Sequence, residues 1–221
     1  MKKVLTFNGS PRKTGNTTAL LKQFLRGVEE GSVIIKEIDP YEINLQYCRG
    51  CLRCNLLKRC SVQTDDWTGI SREILESDIL VFATPVYFRH VTAPLKKIID
   101  RFRSFVHVQI TETGLIHTPW EKWNKDFVLL LTMGSSDKSE ADGIIDLFRF
   151  MTGMLGDNNH LHVITATRLA VTRQVERTRE ELQKLYPRLM LPEELAEKDA
   201  EQNRIWLEAC YRLGKELAKR S

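Results

Sequence analysis

Two stretches of this sequence hold side chains whose type and spacing suit chemistry better than packing. One is Cys48-Arg-Gly-Cys51-Leu-Arg-Cys54-Asn-Leu-Leu-Lys-Arg-Cys60, which gathers four of the five cysteines into thirteen residues. Soft thiolates at x2, x2 and x5 spacing can close around one iron–sulfur cube of the 4Fe-4S type. In the bacterial ferredoxin run the last gap is x3 and the final cysteine serves another cluster, whereas a longer gap lets Cys60 return to the same core. Arg49, Arg53, Lys58 and Arg59 surround the thiolates, offset part of their charge and suit an acidic redox partner. Zinc and a disulfide pair stand as rivals. Zinc sites ordinarily use two separated pairs, and disulfides belong to oxidising compartments.

The other stretch is Met1–Leu21. Val4, Leu5 and Phe7 form an apolar run, Asn8–Pro11 break it, and Thr17–Leu25 take up helical spacing. The loop between strand and helix offers small residues, hydroxyls at Ser10, Thr14, Thr17 and Thr18, and a cation at Arg12 or Lys13. A helix starting there aims free N–H groups and the positive end of its dipole into the loop, which suits a phosphate. GxGxxG is absent and no Gly-Lys-Ser/Thr closes a Walker loop, so the phosphate is not of the dinucleotide or ATP kind.

The elements that must position these stretches follow an alternating pattern. After the first helix, ending near Gly31, Ser32–Ile38 reads as a second strand. Tyr41–Asp66 lacks periodicity and holds the cysteines. Asp65 or Asp66 can cap a helix through Trp67, Ile70, Ile74 and Leu75. Asp78–Thr84 and Asp126–Thr132 are continuous apolar runs suited to parallel strands buried on both faces. Ala93–Val106 reads as a helix with Pro94 in its first turn, Val108–Lys125 as irregular, and Glu140–Leu155 as a helix. His160–Thr165 reads as a fifth strand, and helices follow over Thr172–Leu185 and Pro192–Lys219. Such alternation specifies an open parallel sheet with helices on both faces and a ligand crevice beyond the strand ends. The loops Gly9–Thr18, Pro85–His90 and Met133–Asp137 lie at those ends.

With 221 residues, 42% of them hydrophobic, the chain has ample material for one domain. We expect an α/β domain over 1–170, with the cysteine-rich loop at 47–61, and a helical extension over 171–221. The formal charge of +4 is modest and spread through the sequence, which argues for neither nucleic acid nor an anionic membrane. No stretch approaches the ~20 apolar residues of a membrane span. Clustered cysteines without a signal-like start point to the cytoplasm. His90, beside the second loop, could donate to a ligand there, and Cys210 reads as a core residue.

GSPRKTGNT after the first strand, TPVYF after the third and the following APLKKIIDR resemble the flavodoxin-like, NADPH-dependent FMN reductase family. The cysteine run resembles its iron-sulfur flavoprotein branch. The resemblance implies a flavodoxin-like three-layer sandwich with a five-stranded parallel sheet and extra C-terminal helices. It implies that Ser10, Arg12, Asn16, Thr17 and Thr18 hold the FMN phosphate. Pro85, Val86, Tyr87 and Phe88 would line the isoalloxazine ring, with Gly134 and Ser135 completing its pocket. Cys48, Cys51, Cys54 and Cys60 would hold a 4Fe-4S cluster. The implied activity is flavin-dependent oxidoreduction fed by a ferredoxin-like donor, in a homodimer or homotetramer. A cluster-free reductase using NAD(P)H directly stays open as an alternative, as does a binding module without activity.

Overall fold

The computed structural model describes residues 1–220. Five parallel strands form one sheet in the order β2-β1-β3-β6-β7, with β1 Lys2–Asn8, β2 Val33–Ile38, β3 Ile79–Pro85, β6 Asp126–Thr132 and β7 His160–Ala166. Helices α1 Asn16–Val28, α3 Trp67–Glu76, α4 Ala93–Arg101 and α5 Asp142–Leu155 fill the crossovers. A short helix α2, Cys54–Leu57, lies in the cysteine segment, and α6 Arg179–Leu185 and α7 Leu195–Lys219 follow the sheet. The apolar runs of β3 and β6 are buried almost throughout because both faces of the sheet are covered. On one face α3, α4 and α5 pack Ile74, Leu95, Ile98 and Phe148 against Phe7, Phe82 and Phe127. On the other, α1 and α7 pack Leu20, Phe24, Trp206 and Cys210 against Val81 and Val128.

Three segments differ from the reading of the sequence. Val108–Lys125 is not irregular: β4 Val106–Thr111 and β5 Gly114–Pro119 form an antiparallel hairpin outside the main sheet. Its strand alternation is real, but its Glu112-Thr113 turn lacks the Asn-Gly or Asp-Gly signal. The helix expected to reach Val106 stops at Arg101 and tightens into a 3₁₀ turn, because Val106 is drawn into the hairpin opposite Pro119. In place of a helix over Thr172–Leu185 there is a 3₁₀ turn at Gln174–Glu176, and α6 begins only at Arg179. There Thr178 and Glu181 form a capping box.

Two features fix the C-terminal helix to the sheet. Gly27 of α1 and Gly214 of α7 sit where the helices touch, and a Cβ at either would overlap the other helix's backbone. A buried polar network then ties α7 to the loop after β7. Arg168, at φ +53°, donates through Nε to Asp199 Oδ2 at 2.9 Å, and Tyr186 donates to the same oxygen at 2.6 Å. Burial, together with the Asp199 carboxylate, holds the Tyr186 hydroxyl protonated well above its ordinary range. Gln174 accepts from the Ala170 N–H and donates to the Arg168 carbonyl, at 2.9 and 2.7 Å. Asn16 of α1 donates to the Val171 carbonyl and accepts from the Val175 N–H. The backbone of 168–171 is thus held from three directions.

Gly214→Ala is expected to lower stability by about 2 kcal/mol, since overpacked contacts typically cost that much; the midpoint of urea unfolding reads it. Asp199→Ala strands a guanidinium and a hydroxyl and is expected to cost about 2–3 kcal/mol. Amide exchange at Leu169 and Ala170 should quicken in that variant while β3 and β6 stay protected.

Candidate functional site

The chain leaves β1 outward to β2 and returns to β3 on the other side of β1, so strand order reverses between β1 and β3. Loops departing in opposite directions leave a crevice beyond those strand ends. The crevice is a cleft of about 190 Å³. Ser10, Arg12, Gly15, Asn16 and Thr17 form one wall; Pro85, Val86 and Tyr87 form another; Thr132, Met133, Gly134, Leu169 and Ala170 close it.

The first loop is shaped by its own polar groups. Asn8 Oδ1 accepts from the Ser10 N–H at 3.1 Å, and Ser10 Oγ accepts from the Arg12 N–H at 3.2 Å. The Arg12 carbonyl in turn accepts from the Gly15 N–H at 2.9 Å and from the Thr18 hydroxyl at 3.0 Å. Gly15 takes the N-cap position of α1 with no side-chain cap, so the first-turn N–H groups stay free for an anion. A side chain at Gly15 would crowd Arg12 and Ser10 Oγ, 3.0–3.3 Å from its Cβ. Lys13 is diverted: it pairs with Asp39 and with Glu42, and those hydrogen bonds raise its pKa. Arg12 therefore carries the positive charge at the cleft. Thr18 is spent on the loop itself, and the Asn16 side chain on the 171–175 backbone, leaving Asn16 to face the cleft with its main chain. Thr17 Oγ1 and Thr132 Oγ1 meet at 2.5 Å in the buried floor.

After β3 the Val86 N–H bonds to the Thr132 carbonyl at 2.8 Å. Tyr87 and His90 exchange hydrogen bonds of 2.9 and 3.0 Å, with Phe88 at φ +49° and Arg89 at φ +62° between them. This is a type I′ turn built without glycine, which costs roughly 1–2 kcal/mol per left-handed residue. The turn sends Phe88 into solvent, fully exposed, so it does not line the cleft; Tyr87 does, half exposed. Gly134 lines the cleft. Ser135 does not: its carbonyl accepts from the Arg168 N–H and its hydroxyl from the Asp137 N–H. Met133 opens the third loop expected at the crevice, whereas Thr132, Leu169 and Ala170 were not foreseen. Thr132 could have been, as a polar end to an apolar strand; Leu169 and Ala170 carry no chemical signal beyond following the fifth strand.

Cys48, Cys51, Cys54 and Cys60 all line one small cavity, closed on the protein side by Arg101, Arg103 and Ser104. None is in a disulfide. Among the described residues, no three His, Cys, Asp or Glu side chains converge closely enough to hold a metal ion. The cavity is electropositive: Arg103 Nη1 donates to Cys54 Sγ at 3.5 Å. Burial pushes the Cys54 thiol up and Arg103 opposes it, while the Arg53 N–H and the Ser61 hydroxyl hold Cys51 below its ordinary value. Asn55 anchors the segment by mimicking a strand rung, donating to the Val108 carbonyl at 2.8 Å and accepting its N–H at 3.0 Å. Lys58 adopts a left-handed conformation at φ +54°, its ammonium 5.7 Å from the Trp120 ring centroid. Asp65, read from the sequence as a helix cap, accepts from the Trp67 N–H but is chiefly the buried ion-pair partner of Arg101.

Comparison with known proteins agrees with this geometry. An iron-sulfur flavoprotein of Archaeoglobus fulgidus is 36% identical over 99 residues, 45% of this chain and 44% of that protein. One of Methanocaldococcus jannaschii is 36% identical over 101 residues, 46% of this chain and 52% of that protein. The chain thus spans about half the length of the curated relatives it matches. In fold it is similar to an NAD(P)H:quinone oxidoreductase from Methanothermobacter marburgensis, with a TM-score of 0.64 at 15% identity over 100% of this chain and 98% of that one. The family model for NADPH-dependent FMN reductase matches residues 2–172, which takes in every strand of the sheet and both candidate sites, and the chain belongs to that family.

Proposed function

We propose that this protein is a flavin-dependent oxidoreductase that binds FMN in the β1/β3 cleft and a 4Fe-4S cluster in the four-cysteine cavity. It would take electrons from a ferredoxin-like donor and deliver them to a small acceptor. The observation that carries this reading is the gathering of four cysteines round one arginine-walled cavity, in a chain that also offers an uncapped helix N-terminus at its switch point. A cluster supplies one-electron steps and a flavin accepts electrons singly or in pairs.

The residues divide the work by chemistry. Ser10, the first-turn N–H groups of α1 and the Arg12 guanidinium suit a phosphate dianion. Pro85 and Tyr87 on one side and Met133 and Gly134 on the other suit a planar ring. The Val86 and Tyr87 N–H groups are committed to Thr132 and His90, so we assign the ring's polar edge to the Gly134 backbone. No side-chain acid or base is assigned. The four cysteines would supply thiolates, with Arg103 balancing Cys54. The five free cysteines suit a reducing, cytoplasmic setting. We place the chain in a homodimer or homotetramer. Among the described residues no helix is long and apolar enough to cross a membrane.

Iron, acid-labile sulfide and FMN, measured per chain on protein purified without oxygen, test the reading. About four iron and four sulfide per FMN are expected. Flavin without iron or sulfide, even after reconstitution, would leave a cluster-free reductase using NAD(P)H. Cys54→Ala is expected to lose the iron and keep the FMN. Arg12→Ala removes a charge-assisted hydrogen bond and should weaken FMN binding roughly ten- to a hundredfold, read by quenching of flavin fluorescence.

A further inference from the structure

Among the described residues two buried side-chain polar groups lack a hydrogen-bond partner, and one of them belongs to a residue that lines the cysteine cavity. Arg101, the last residue of α4, is only 1% exposed. Its Nη1 donates to Asp65 Oδ2 at 2.7 Å and to the Gln46 carbonyl at 2.9 Å, and its Nη2 donates to Asp65 Oδ1 at 3.3 Å. Its Nε–H is buried with no hydrogen-bond partner, a condition shared among the described residues only by the Thr6 hydroxyl. An ionised donor left so bears its full desolvation penalty.

The protein groups around it are already engaged. Trp67 covers the guanidinium, with the Arg101 Cζ 5.1 Å from its ring centroid. The Ser104 hydroxyl accepts from Trp67 Nε1 at 3.1 Å and donates to the Arg101 carbonyl at 2.9 Å. What remains beside Arg101 is the cavity that it lines together with Cys48, Cys51, Cys54 and Cys60. A neutral thiol is a weak acceptor, whereas a thiolate or the sulfide of a cluster is an anionic one.

We propose that Arg101 donates its Nε–H to a sulfur of the cluster bound by the four cysteines and thereby raises the cluster's reduction potential. The inference rests on the cluster reading above. One-electron reduction adds a negative charge to the cluster, so a hydrogen bond to its sulfur favours the reduced form. The Asp65 carboxylate, its side chain buried, neutralises the guanidinium and holds it by both oxygens. Arg101 therefore presents a directed donor more than a net charge. Arg101 is a positioning and tuning residue; it is not a ligand.

Two variants separate this role from that of a clamp on the Gln46–Asp65 backbone. Arg101→Lys keeps the charge and loses Nε–H. Asp65→Asn keeps the donor and removes the neutralising carboxylate. Each is purified without oxygen, assayed for iron and sulfide, and titrated with dithionite against mediator dyes while the cluster's visible absorbance is followed. The expected result is a cluster potential more negative than wild type in Arg101→Lys and more positive in Asp65→Asn. Unshifted potentials in cluster-loaded variants, with only thermal stability reduced, would overturn the role of Arg101 and leave the cluster reading intact. Wild-type protein without iron or sulfide after reconstitution would overturn both. If Arg101→Lys fails to fold, the sign of the Asp65→Asn shift decides alone, and a zero or negative shift overturns the proposal.

Discussion

The cleft lined by the loops after β1 and β3 depends on where strand order reverses. Parallel strands must each be left by a crossover, and the only place where two adjacent crossovers depart to opposite faces is between β1 and β3. The backbone groups at those strand ends cannot be covered by a helix without blocking the crossovers. They are met by short loops, and the loops inherit a cleft. The rest of the fold keeps it rigid: Thr92, ahead of α4, donates to the Gly9 carbonyl at 2.8 Å, and the Thr17–Thr132 hydroxyl pair joins α1 to β6 beneath the floor.

The cysteine segment lacks such backing from the sheet. It has one short helix and left-handed residues at Gly50, Leu52 and Lys58, so its shape is imposed from outside. The hairpin supplies Val108 for Asn55 and Trp120 for Lys58. The end of α4 supplies Arg101, and the 3₁₀ turn after it supplies Arg103. Arg101, buried, and Arg103, half-buried, hold the backbone and set the charge beside the thiols at the same time.

The sheet was legible because buried parallel strands leave uninterrupted apolar runs such as DILVFAT and DFVLLLT, which no other element of that length requires. The loop after β1 was legible because small breaking residues between an apolar run and a helical pattern mark a strand-to-helix turn. The hairpin was not, since its strands are largely exposed and its turn has no glycine pair. The exposure of Phe88 was not legible for a related reason: a type I′ turn with Phe and Arg at its centre runs against local preference, and mutual Tyr87–His90 hydrogen bonds close it. The pairing of Arg101 with Asp65 joins residues far apart in the chain, and Asp65 alone reads as a helix cap. Leu169 and Ala170 reach the cleft only through the network that Gln174, Asn16 and Asp199 build.

Helix α4 has the phosphate loop's neighbour Thr92 at its N-cap and Arg101 at its last turn. At a rise of about 1.5 Å per residue it separates the two sites by a rigid span of roughly 14 Å. One inserted residue would swing Arg101 by about 100° around the helix axis, away from the cysteines, while leaving every apolar run intact. An insertion between Thr92 and Arg101 would therefore disturb the cysteine cavity, whereas one in the Glu112-Thr113 turn would leave both sites in place. The count of residues in that interval, as well as their identities, sets which side of the helix Arg101 occupies.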